Sequence, residues 1–235
     1  MNRIKERRLI SDSIRHLSNI YPYIDLHSHR HNQEAGVISV YNLLLHEKHG
    51  IPGIPFSAGL HPWYALELSQ EILSRELDSC AASPNLIAFG ETGLDKVCDV
   101  PIQLQQDVFE LHLKKAVEHC KPLILHCVKA WDEIIEIAAG FPVIKILHGY
   151  NGSAQLTVRL LKLGFNFSIG KAILNPDAKI HQAIPMIPLS SLFCETDDSD
   201  VSIQIVYAGM GASLKLGEEA LREAIFNNFT KLRNA

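Results

Sequence analysis

Short apolar runs separated by longer stretches of helical spacing constrain this chain more than any other feature. Eight such runs read as buried strands, at 23–27, 36–43, 55–60, 86–90, 122–125, 143–147, 165–169 and 191–194. Amphipathic helices are expected at 103–119, 131–139, 153–163 and 218–232. In 103–119, Leu104, Val108, Leu111 and Ala116 recur at helical spacing, and Glu110/Lys114 and Lys114/Glu118 are placed to pair on the wet side. A parallel neighbour requires a crossover connection, so strands broken by helices predict a parallel sheet. The expectation is an α/β fold, a distorted TIM (β/α)8 barrel. The 235 residues lie near the lower end of what such a barrel needs. Only residues 30–35 separate the first two runs, so the barrel is irregular there or the second strand is misplaced. A doubly wound open sheet is the main alternative, but no glycine-rich dinucleotide motif or P-loop follows any expected strand.

Residues 21–235 are expected to form one barrel domain, with residues 1–20 as an N-terminal surface helix or extension. The basic opening MNRIKERRLI is followed by SDSIRHLSNI rather than by an apolar stretch, which predicts neither a secretory signal nor a membrane span. Cys80, Cys98, Cys120, Cys127 and Cys194 are odd in number and contain no CxxC, which suits a reducing, cytoplasmic setting and mostly buried thiols. The formal charge of −4 argues against a broad basic face for long nucleic acid. It leaves open chemistry on a phosphate, because bound divalent metals dominate the local field.

Polar residues cluster where the expected strands end. His27 and His29 close the first, Glu91 the fourth, His126 the fifth and His148 the sixth, while Asp197 follows the eighth. In an α/β barrel these positions share one rim, the rim on which active sites are built. Six nitrogen and oxygen donors at one end are costly to bury without a compensating ion. His27 and His29 have strand spacing, so both rings can reach one ion. Glu91 has two oxygens and sits between the groups, which makes it the best candidate to bridge two metals.

Histidine nitrogen with carboxylate oxygen suits zinc, manganese or iron, and so many imidazoles favour magnesium less. Two divalent ions are therefore expected, with zinc, manganese and magnesium as candidates. Asp197 is placed to complete one ion's shell and to take a proton from water. Asp25 is assigned a supporting place behind the ligands.

His61, at the end of the third strand, is expected to contact substrate or leaving group, with Pro62 and Trp63 shaping that wall. Lys96, Lys129 and Lys171 follow strands at the same rim and are candidate phosphate contacts, together with the helix start at Gly152-Ser153. Cys127 beside His126 is expected to pack outside the metal shell, because adjacent strand residues face opposite ways. Ser153 reads as a helix cap.

These residues fall within segments that resemble the TatD-related metal-dependent hydrolases of the amidohydrolase-like barrels. The matching segments are IDLHSH (24–29), SAGLHPW (57–63), FGETGLD (89–95), PLILHC (122–127), LHGYNGS (147–153), FSIG (167–170) and CETDDS (194–199). The closing Asn228-Phe229 segment looks like the family's final helix. The resemblance implies a distorted TIM barrel that uses divalent metals to hydrolyse phosphodiester bonds, often as a deoxyribonuclease acting from DNA ends. It implies one metal site of His27, His29, Glu91 and Asp197, a second of Glu91, His126 and His148, and His61 near the scissile phosphate. Catalytic roles then fall to Asp197, His61 and Glu91, with DNA ends or a small phosphodiester as substrate and no obligate protein partner. The chain departs from many relatives at Val128, where they carry arginine, and in the acidic run Asp198-Ser199-Asp200. Amide or lactone hydrolysis is the alternative reading, followed by a non-enzymatic barrel.

Overall fold

The computed structural model describes residues 21–31, 34–47 and 49–234; the surface helix or extension expected at residues 1–20 lies outside them. The strands are β1 (Tyr23–Ser28), β2 (Val37–Leu44), β3 (Phe56–Gly59), β4 (Leu86–Asp95), β5 (Leu123–Val128), β6 (Lys145–Leu147), β7 (Phe165–Ile169) and β8 (Leu192–Cys194). They form one sheet in sequence order, and each strand is parallel to the next. Just beyond β8, Asp197 bridges back to Ser28: its amide donates to the His27 carbonyl at 2.9 Å, and the His29 amide donates to the Asp197 carbonyl at 3.2 Å. The sheet is thus an eight-stranded parallel near-barrel of the TIM type, and it closes at the end that carries the polar cluster.

The helices are α1 (Gln70–Ala81), α2 (Ile102–Glu118), α3 (Trp131–Ala138), α4 (Ala154–Lys162), α5 (Ile180–Ala183), α6 (Ile203–Leu214) and α7 (Glu218–Arg233), with short 3-10 turns between some of them. Their inward stripes follow the expected spacing. On α2, Val108, Phe109, His112, Leu113 and Ala116 are buried, and Lys114 pairs with Glu110 at 3.5 Å on the wet side. Glu118 pairs at 3.0 Å with Lys115, which also pairs with Asp78 on α1 at 2.6 Å, rather than with Lys114. Ser153 caps α4 by accepting the Leu156 amide at 3.3 Å.

The second strand is where the sequence placed it, and the barrel is irregular at that point. Among the described residues no helix lies between β1 and β2 or between β2 and β3. The chain turns at Ala35-Gly36, where the Val37 amide donates to the Glu34 carbonyl at 3.1 Å, and β2 begins directly after it. β4 continues five residues past the expected end at Gly90, so Glu91 lies within a strand instead of closing it. All ten β4 residues are buried, and the pairing with β5 shifts register between Phe89 and Thr92. Glycine permits this close passage. Gly90 and Gly93 have φ of +121° and +139°, and a Cβ at either would stand 2.3 Å or 2.1 Å from a β5 carbonyl oxygen.

All five cysteines are free, with Cys80 and Cys194 buried and Cys120 exposed. No helix among the described residues is long and apolar enough to cross a membrane.

Candidate metal centre

The strand ends bring His29, His61, Glu91, His126, His148 and Asp197 around one cleft of about 320 Å³, whose walls also include Leu44, Trp63, Tyr64 and Asp198. His27 lies beneath it, fully buried. Glu91 is the centre of the arrangement. Its Oε1 faces His148 Nε2 at 2.8 Å, His126 Nδ1 at 2.9 Å and His61 Nε2 at 3.2 Å. Its Oε2 faces His27 Nε2 at 3.3 Å and His29 Nε2 at 3.7 Å. Asp197 Oδ1 approaches the same two imidazoles, at 3.5 Å and 3.4 Å. The donor atoms form three overlapping groups, each close enough to hold one ion: His27/His29/Asp197, His27/Glu91/His148 and His61/Glu91/His126.

Two observations show that this donor set fits a divalent cation. Both ring nitrogens of His27 are buried without a hydrogen-bond partner, a state that costs about 1–3 kcal/mol per group unless something binds there. Protons also gather where an ion would sit. Hydrogen bonding of the His29 ring to the Asp197 and Glu91 carboxylates raises it to about 9, against the opposing effect of burial. Burial pushes His148 down, but the charges of Glu91 and Glu195 and hydrogen bonding to both together hold the ring well above the usual histidine range. Burial would raise Glu91 and Asp197, but the surrounding imidazoles keep both carboxyls well below their ordinary values. The buried Glu91 and the half-buried Asp197 thus retain protons on neighbouring rings, and a cation binding between them would displace those protons.

His126 and His61 each have a neighbour that sets which nitrogen the ring presents, and Glu195 stands behind His148. His126 Nε2 donates to Asp95 Oδ2 at 3.3 Å, which leaves Nδ1 free toward Glu91. His148 Nδ1 stands 3.5 Å from the fully buried Glu195, whose Oε1 also accepts the Gly149 amide. His61 differs from both. Its Nδ1 accepts the Trp63 amide at 3.2 Å, so the neutral ring carries its proton on Nε2 and presents a donor to the cleft. Burial pushes His61 down and favours that neutral form. Asn42 fixes Glu91 from β2: its Oδ1 accepts the Glu91 amide at 3.1 Å and its Nδ2 donates to Oε2 at 3.3 Å.

Asp25 does not touch the histidines of the cleft. It accepts the Thr196 amide and hydroxyl at 2.9 Å and 2.7 Å, fixing the turn into Asp197, and burial raises it to about 6. Asp197 itself adopts φ of +55°, a conformation uncommon outside glycine, and the two backbone bonds to β1 hold it there.

The three lysines do not line the cleft. Lys96 pairs with Glu133 on α3, Lys171 pairs with Asp198 at 3.2 Å, and Lys129 is exposed. Burial pushes the Cys127 thiol up to about 12. Asn42 carries no motif signal; Asp95 and Glu195 lie inside the FGETGLD and CETDDS segments, where no role is assigned to them from sequence.

The family profile described as TatD related DNase matches residues 24–207. A human protein named 3'-5' RNA nuclease TATDN2 is 37% identical over 147 residues, covering 59% of this chain and 19% of that protein. The Escherichia coli protein named uncharacterized metal-dependent hydrolase YjjV is 33% identical over 152 residues, covering 62% of this chain and 58% of that protein. The chain therefore spans less than two thirds of the length of these curated relatives. The crystal structure of the E. coli homologue superposes with a TM-score of 0.75 at 25% identity, over 92% of this chain and 99% of that one. A TatD family hydrolase from Entamoeba histolytica shares the fold, with a TM-score of 0.71 at 14% identity.

Proposed function

From the premise that this chain belongs to the TatD family of metal-dependent hydrolases, we propose that it cleaves terminal phosphodiester bonds of nucleic acid, with DNA ends as the first substrate to test. One observation carries the reading: the two oxygens of buried Glu91 divide between two sets of imidazoles, the arrangement of a carboxylate that bridges two ions. His27, His29, Glu91 and Asp197 would hold one ion, and Glu91, His126 and His148 the other. Divalent ions bound there supply Lewis acidity toward the phosphoryl oxygen and make water a stronger nucleophile.

The chain's own groups divide the remaining work. Asp197, an anion at neutral pH, accepts the proton of the attacking water from a position beside His27 and His29. His61 presents Nε2–H toward Glu91 and the cleft, where it donates to the departing oxygen. Asp95 and Glu195 hold His126 and His148 from behind, and Asn42 holds Glu91. Lys171, paired with the cleft-lining Asp198, and the exposed Lys96 and Lys129 are the outer phosphate contacts of this proposal.

The relatives support a nucleic-acid substrate by their names. Besides the human RNA nuclease, a protein from Erwinia billingiae named 3'-5' ssDNA/RNA exonuclease TatD is 30% identical over 153 residues. The test is hydrolysis by metal-restored protein of end-labelled single-stranded DNA and RNA, beside a panel of lactones and amides. Stepwise shortening of DNA from one end is expected. Turnover of a lactone or amide with the DNA left intact would replace this reading with carbonyl hydrolysis.

A further inference from the structure

We propose that Trp63 is the specificity-determining residue of this cleft: its indole face stacks on the unpaired base next to the scissile phosphate. The inference rests on the phosphodiester reading above and extends it to the part of the substrate that carries no charge.

Trp63 is 53% exposed although it belongs to the wall of the cleft. A tryptophan that only filled space would be covered; this one is open and yet fixed. Its Nε1–H donates at 2.7 Å to Oδ2 of Asp95, a carboxylate only 3% exposed. That bond anchors the edge of the ring while more than half of the residue stays open to solvent. The Trp63 and His61 rings meet in a T-shaped pair, with centroids 4.9 Å apart and planes at 86°, so the indole adjoins the group placed to meet the leaving oxygen.

Tyr64 continues the wall and is itself stacked on His46 at 3.7 Å and 20°. Leu44 completes the apolar lining, whereas Asp197 and Asp198 make the cleft acidic elsewhere. The cleft therefore joins a cation-seeking floor to a rigid aromatic shelf, which matches a phosphate linked to a flat ring. Every base has a π-face, so a shelf of this kind binds without reading sequence but requires the base to be unpaired.

Asp95 gives the shelf a second property. The same Oδ2 accepts from Trp63 and from His126 Nε2, at 2.7 Å and 3.3 Å, so the group that grips the base and a ring of the metal cluster share one acceptor. Trp63→Phe separates the two functions, because it keeps an aromatic face and removes the bond to Asp95.

The experiment titrates metal-restored protein with a short single-stranded oligonucleotide whose terminal linkage is a phosphorothioate, and with the same strand ending in an abasic sugar. Intrinsic tryptophan emission reports binding, and cleavage of the matching unmodified strands is measured in parallel. Stacking supplies a factor of about 5 to 100 per base. Quenching by the base-ended strand is expected, with at least about fivefold weaker binding of the abasic strand. In the variants the preference is read from the anisotropy of a dye-labelled strand; it should fall to about one in Trp63→Ala and survive in Trp63→Phe, and in both the quench is lost because only Trp131 still emits. Equal preference for the two ends in the parent, or an undiminished preference in Trp63→Ala, overturns the proposal. Hydrolysis of the unmodified base-ended strand by the parent reports the chemistry: its presence with no base effect rejects the shelf, and its absence rejects the phosphodiester reading, while the quench still decides whether Trp63 stacks.

Discussion

Lowering the pH from 8 to 5 should cost this protein about 2 kcal/mol of stability through one fully buried residue, His112. Its ring lies on α2 under the end of β3, where Nδ1–H donates to the Val108 carbonyl at 2.8 Å and Nε2 accepts the Leu60 amide at 3.2 Å. Those bonds fit only the neutral tautomer, and burial depresses the group from 6.5 to about 4. Between those values the unfolded chain binds a proton that the folded chain refuses. The contribution is therefore intact above pH 6.5, declines as the pH falls, and levels off below 4.

A depression of about 2.5 units at ~1.36 kcal/mol each gives roughly 3 kcal/mol in full, of which about 2 is lost by pH 5. Urea unfolding followed by circular dichroism at both pH values measures it, with His112→Gln as the comparison, since glutamine can accept the Leu60 amide and does not titrate. Other groups that titrate in this range, Asp25 and the cleft histidines among them, are common to both proteins and cancel in the difference. The variant should lose about 2 kcal/mol less than the parent on acidification. Equal losses in the two proteins would refute the reasoning. Because Leu60 precedes His61, this acid-sensitive bond also supports the cleft wall.

Asp95→Ala should weaken divalent-ion affinity about 10- to 100-fold by freeing His126, as measured by chelator competition; unchanged affinity would mean that the bond from His126 does not orient the ring. Asp197→Asn keeps an oxygen donor but cannot take up a proton, so kcat should fall at least about tenfold with metal still bound, and full turnover would remove the proton role. Gly93→Ala forces a Cβ against the His126 carbonyl at a φ natural only to glycine, and should lower stability by at least about 2 kcal/mol in thermal unfolding; an unaltered transition would contradict the close passage of β4 and β5.

The strands were legible because each is a short apolar run, and six of the eight end within two residues of where the pattern stops. β4 was read too short, since Glu91-Thr92-Gly93 looks like a loop but is a buried strand with its carboxylate among imidazoles. α6 gave little signal because Ile203–Leu214 is apolar on most sides and carries two glycines, so no single stripe stands out. α1, by contrast, has a regular stripe of Leu73, Leu77 and Cys80 and a Ser69 cap, and was legible in principle. The cleft was legible because histidines at successive strand ends share one rim in any parallel barrel. Asn42 was not, since its part depends on how β2 passes Glu91, a tertiary relation that no local spacing encodes.

The proposed function stands on Glu91 joining two divalent ions in the cleft. Metal stoichiometry on stripped and restored protein, read alongside hydrolysis of terminally labelled DNA, tests it most directly. Two ions per chain in the parent, fewer in Glu91→Gln, and cleavage that appears only when metal is restored are the predicted results. Cleavage that persists in fully stripped protein, or a Glu91→Gln variant that binds two ions as tightly as the parent, would contradict the account.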